Sequence, residues 1–138
     1  MEYISVNYLA VFVATITSFI VGALWYGPLF GKQWMKLEGF TPESMKSIKL
    51  KLGHAMGLGF VSTLIMVCVL AHFAIAWGAE GVMGAFQLTF WVWIGFIVTT
   101  LAGSVLWEGK SAKLFLFNII YQFVSIFVAS LVLVLWAW

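Results

Sequence analysis

Residues 114–135 read Leu-Phe-Leu-Phe-Asn-Ile-Ile-Tyr-Gln-Phe-Val-Ser-Ile-Phe-Val-Ala-Ser-Leu-Val-Leu-Val-Leu, without one charged side chain. As an α-helix this run is about 33 Å long, enough to cross about 30 Å of hydrocarbon. It belongs to an expected span over about residues 113–135, and three similar runs precede it, at about residues 6–26, 56–76 and 83–105. Nearly every charge lies in the gaps between them. The chain is 64% hydrophobic and 9% charged, with a mean hydropathy of +1.08. Soluble domains are about 45–50% apolar and about 25% charged. A chain of 138 residues leaves too much surface exposed to hide this excess in water. The expected fold class is therefore all-α: one integral membrane four-helix bundle.

The gaps refine this picture. Pro28, with Gly27 and Gly31 beside it, is expected to end the first span. Trp25, Tyr26 and Trp34 suit the interfacial belt of aromatic side chains, as do Trp136 and Trp138 at the other end of the sequence. The segment from Gly31 to Lys51 is the one sizeable polar stretch. Within it, Thr41-Pro42-Glu43 has the form of a helix start, and Met45, Ile48 and Leu52 recur at helical spacing opposite lysines. A short amphipathic helix over residues 42–52, between the first two spans, is expected. It would lie flat on the membrane or extend the second span. The opening residues carry no basic region or cleavage pattern, so the first run is expected to be a retained helix.

All seven positive residues are lysines; there is no arginine and no aspartate, and the net charge is +2. No clustered Arg/Lys face suggests nucleic-acid binding. Five lysines fall between the first and second spans and two between the third and fourth. Positive loops face the cytoplasm, so both termini are expected outside an inner (cytoplasmic) membrane, with the lysine loops inside. The same lysines would attract anionic lipid headgroups.

Chemistry-bearing residues are sparse. No Asp, Glu, Lys or Arg stands in the middle of a span, where such groups mark proton relays and ion paths. Small multidrug exporters share the length and helix number, but their mechanism needs a membrane-embedded glutamate that these spans lack. His54 and His72 are about 27 Å apart along one helix and cannot share a metal. Cys68 and His72 share a helical face, but two ligands do not make a site. No phosphate loop, nucleophile elbow or zinc motif is present. No catalytic residue, metal ligand or cofactor is expected.

What remains is a set of uncharged polar and small residues at helical spacing: Thr15, Ser18 and Gly22 with Tyr26 on the first span, Gly95, Thr99 and Gly103 on the third, Asn118, Gln122 and Ser125 on the fourth. Such faces join helices closely in the bundle or in a homo-oligomer. Alternatively they line a polar path, with Asn118 and Gln122 at its centre. Gly22-Ala23-Leu24-Trp25 is faintly echoed by Gly103-Ser104-Val105-Leu106-Trp107. The echo reads either as a parallel two-plus-two repeat or as residues that simply suit helix ends at one interface.

The stretch Gly22-Ala23-Leu24-Trp25-Tyr26-Gly27-Pro28-Leu29-Phe30-Gly31-Lys32, followed by Trp34, resembles the signature of domain-of-unknown-function family 1761. Asn7-Tyr8-Leu9-Ala10 and the segment from Glu108-Gly109-Lys110 through Lys113, Asn118 and Tyr121 are similar to it as well. The resemblance implies four membrane helices and no assigned activity. Where the family pattern often has a small residue and a histidine around the helix-four tyrosine, this chain has Ile120 and Gln122. Two functions fit these readings. One is a non-catalytic scaffold or accessory subunit forming a homo-oligomer; the other is an oligomeric channel or uniporter for a small neutral or weakly polar solute.

Overall fold

The computed structural model describes residues 4–41, 43 and 52–136. These residues form five helices and no strand. Helix α1 spans Tyr8–Leu24 and runs through a wide turn, Trp25–Leu29, into α2, Gly31–Glu38. Helix α3 spans Leu52–Trp77. Helix α4 comprises Gly81–Val92 and its irregular continuation to Leu106, and α5 spans Ala112–Leu135. Four of the five (all but α2) are long and apolar enough to cross a membrane. The protein is a multi-pass membrane protein.

Local chemistry sets the helix starts. Asn7 caps α1, its side-chain oxygen accepting from the N–H groups of Leu9 and Ala10 at 3.0 and 3.3 Å. Ser111 caps α5 by accepting from Leu114 N–H at 3.2 Å. These side chains satisfy donors that have no partner within the first turn of a helix. The caps place the starts at Tyr8 and Ala112, within two residues of the expected ones. Helix α3 starts a full turn before the expected Met56.

Helix α1 ends at Leu24 and the backbone leaves the helical region at Gly27, before Pro28; the chain then turns and resumes as α2, a helix that the sequence does not announce. One expectation needs correction. The third span is not one regular helix. It widens over Trp93–Val98 and re-forms in short pieces, Thr99–Leu101 and Gly103–Leu106. Thr99 Oγ1 donates to the Gly95 carbonyl at 2.7 Å and Ser104 Oγ to Leu101 at 2.8 Å. Side-chain bonds of this kind compete with the backbone ladder and accompany such irregularities. The helix expected over 42–52 and the anchor Trp138 lie outside the described residues.

Helix α5 is the centre of the bundle. It packs extensively along α1 on one side and α4 on the other, while α3 lies mainly against α1 and meets α4 sparsely. The core joins Ala10, Val11 and Ala14 of α1, Val67, Leu70, Ala71 and Ala74 of α3, Leu88 of α4, and Ile126, Ala129 and Leu133 of α5. Alanines dominate because short side chains let helices approach in a medium where apolar burial gives little drive to associate. Trp136 is partly buried and packs against this core. The two echoed tryptophans differ in setting: Trp107 is 86% exposed, whereas Trp25 is half-buried among rings.

Ala14 has no exposed surface, so Ala14→Leu should overpack the core and lower stability by about 1–3 kcal/mol. Leu58→Ala, at a position 61% exposed, should change it by less than about 0.5 kcal/mol. Denaturant titration of the purified protein in mild detergent measures both.

Candidate functional site

The break at the end of α1 builds the densest cluster of aromatic and polar side chains. Pro28 has no N–H to donate, and the residue before a proline is pushed out of the helical region. Gly27 accordingly sits at φ −109°, ψ −109°. The chain closes the break with a wider hydrogen bond, Phe30 N–H to the Trp25 carbonyl at 3.0 Å, and α2 starts at once. Gly31 is required there: a Cβ would stand 2.7 Å from the Tyr26 carbonyl oxygen.

This geometry folds α2 back against the start of α5. The Trp25 ring lies 4.6 Å from Phe30 and 5.5 Å from Phe117, centroid to centroid. Tyr26 meets Trp34 edge-on at 5.4 Å and Tyr121 at 4.9 Å. Tyr26 also donates its hydroxyl proton to Asn118 Oδ1 at 2.8 Å, linking α1 to α5. The Trp25 indole N–H is buried among rings and has no acceptor among the described residues. Gly22, one turn before Tyr26, admits the Tyr121 ring; a Cβ there would lie 2.7 Å from the Tyr121 oxygen.

A seam of hydroxyls continues from this cluster along α5. Ser125 stands one turn beyond Tyr121 on α5. Ser125 in turn hydrogen-bonds the buried Ser18 of α1 through their side-chain oxygens, and Ser18 also reaches the Ser125 carbonyl at 3.3 Å. On the other side of α5, Thr89 of α4 donates to Ser130 at 3.1 Å, and Trp93 Nε1 donates to the Ile119 carbonyl at 2.7 Å. The contacts of α5 with α1 and with α4 thus each carry their own polar pair.

The residues singled out from sequence divide into two groups. Ser18 and Ser125 meet, Tyr26 joins Asn118 and Trp34, and Gly22 receives Tyr121. Thr15 is fully buried, with its hydroxyl on its own helix at Val11. Thr99 is exposed and bonds its own helix, and Gly103 neighbours only its own Trp107. Gln122 is half-buried and has no hydrogen-bond partner among the described residues. Thr89, Ser130 and Trp93 were not anticipated. Thr89 and Ser130 are single hydroxyls in otherwise apolar stretches, a signal visible only once the two helices are known to touch. Away from the seam, His72 Nδ1 lies 2.7 Å from the Cys68 carbonyl oxygen, and His54 is exposed at the opposite end of α3. Among the described residues no three His, Cys, Asp or Glu side chains gather into a metal-binding group.

With this geometry in place, the comparison with known families is decisive on kinship. A family model described as "Protein of unknown function (DUF1761)" matches residues 9–134. The chain belongs to this family. The match takes in all four spans, the break at Gly27-Pro28 and the whole seam along α5. No curated protein and no solved structure matches the chain.

If Tyr26 and Asn118 hold α1 to α5, the double-mutant cycle of Tyr26→Phe and Asn118→Leu should give a coupling energy of about 0.6 kcal/mol, and at most about 1.7. Unfolding titrations of the four proteins in detergent supply the cycle.

Proposed function

We propose that this member of the DUF1761 family is a non-catalytic scaffold or accessory subunit of the inner membrane that works as a homo-oligomer. The observation that carries this reading is the pairing of the polar seam. Ser18 with Ser125, Tyr26 with Asn118, and Thr89 with Ser130 use their polar atoms on one another, and so hold helices together rather than line a path. The third span adds support. Only 11% of its apolar window is buried, against 22–33% for the others, which leaves Phe86, Trp91 and Phe96 available to a neighbouring chain.

In this reading both termini are external. The lysines that the structure describes support that orientation: Lys32, Lys36, Lys110 and Lys113 belong to the same end of the bundle, with α2 packed beside the start of α5. A positive end of this kind favours the cytoplasm and attracts anionic headgroups, at about 1 kcal/mol per lysine.

One observation favours the second reading, an oligomeric channel or uniporter for a small neutral solute. Gln122 lies near the middle of α5 with its amide unpaired within the described chain, and such a group in hydrocarbon calls for a partner or water. Gln122→Cys in a Cys68→Ala background separates the two. The scaffold reading predicts no reaction with a membrane-impermeant thiol reagent in intact vesicles. Rapid labelling, blocked by a permeating solute, would replace it with the channel reading.

A further inference from the structure

We infer that the protein binds a neutral lipid bearing a free hydroxyl group, in a cleft between α1 and α3 at the lysine-bearing end of the bundle. This goes beyond the scaffold reading and does not depend on it.

The cleft arises because α3 leaves α1 partway along. Its buried residues, Val67, Leu70, Ala71 and Ala74, all lie in its second half, while every residue from Gly53 to Leu58 is exposed. The diverging helices enclose about 680 Å³, bordered by Phe19, Gly22, Tyr26, Met56, Gly59 and Tyr121, among others. Glycines on both walls leave the space open, and the edge-on contact of Phe19 with Phe60 at 5.6 Å closes its deep end. The volume falls within the range of about 300–1,000 Å³ usual for small-molecule sites. From Tyr26 to Phe19 the wall is about 10 Å deep. The exposed start of α3 leaves the cleft open sideways, so its natural source of ligand is the bilayer itself.

The chemistry of the border narrows the ligand. No charged side chain lines the cleft among the described residues, and these offer an ionic headgroup no partner inside it. Most of the wall is apolar and takes up hydrocarbon. The hydroxyl-bearing residues on the border are Tyr26, Tyr121 and Thr63. Tyr26 has given its proton to Asn118, and Thr63 has given its own to the Gly59 carbonyl at 2.8 Å. What these two oxygens still offer is lone pairs. They therefore suit a ligand that donates a hydrogen bond, while the third hydroxyl, that of Tyr121, can donate one to the ligand in return; the neutral group on an apolar body that does both is an alcohol. The two apolar cavities between α3 and α4, about 530 and 340 Å³, present no such acceptors, being bordered by Phe73, Val92 and Phe96.

The test uses the full-length protein in nanodiscs with a photoactivatable dioleoylglycerol, and with the same lipid acetylated at its hydroxyl. Crosslinked peptides are mapped by mass spectrometry. The inference predicts crosslinks within residues 19–27 and 55–63, and labelling that falls by about threefold or more on acetylation, the worth of one neutral hydrogen bond. Gly59→Leu fills the cleft from a position where a Cβ meets nothing nearer than Phe19 at 3.9 Å, and should reduce labelling by about tenfold. Gly57→Leu, where a Cβ meets nothing within 4 Å and the side chain is outside the cleft, should leave it unchanged. Labelling spread over the lipid-facing surface, or unaffected by Gly59→Leu, would overturn the site. Equal labelling by the acetylated lipid would overturn the assignment of a hydroxyl donor.

Discussion

A polar group inside hydrocarbon has no water to turn to, and the whole arrangement follows from where each such group finds its partner. Helix α5 solves the problem for its neighbours. It meets α1 through Ser125 and Asn118, and α4 through Ser130 and the Ile119 carbonyl. Alanines between these pairs let the helices close up, so the pairs are buried and the contacts reinforce one another. Helix α3 has no comparable polar pair with α5. It is held by apolar contacts, buried in its second half and ending at the Phe19–Phe60 pair, and it leaves the bundle beyond that pair.

The break at Gly27-Pro28 has a structural consequence larger than stopping a helix. Because the chain turns rather than frays, α2 returns over the start of α5 and brings Trp34 against Tyr26. The rings of Trp25, Phe30, Phe117 and Tyr121 then pack into one cluster at the lysine-bearing end. This cluster fixes Tyr26, and Tyr26 borders the cleft beneath the exposed start of α3. The same residues thus brace the bundle and furnish a polar edge within reach of lipid.

Much of this was legible in the sequence, for physical reasons. A run such as residues 114–135 has only one stable form in a bilayer, so the spans were readable from length and charge. The polar faces of α1 and α5, which hold Ser18 and Ser125, were readable from helical spacing. Spacing names a face but not the face opposite, so the pairing of Thr89 with Ser130 was not accessible. Nor was the fate of Thr99, which shares a stripe with Gly95 and Gly103 yet bonds back to its own helix. Helix α2 was missed because Gly31 and two lysines in eight residues look like a loop; its stability comes from the tertiary contact of Trp34. The widening of α4 at Trp93–Val98 has no proline or charge to announce it.

The bundle depends on α5 holding α1 through buried polar contact, which a disulfide between the two helices tests directly. Ser18→Cys and Ser125→Cys, combined in a Cys68→Ala background, place two thiols where the serine oxygens now meet. On mild oxidation in the membrane the account predicts an intramolecular disulfide, seen as loss of both alkylatable thiols after denaturation. If both thiols stay reactive while the protein remains folded, α1 and α5 do not meet at this point, and the central role given to α5 is wrong.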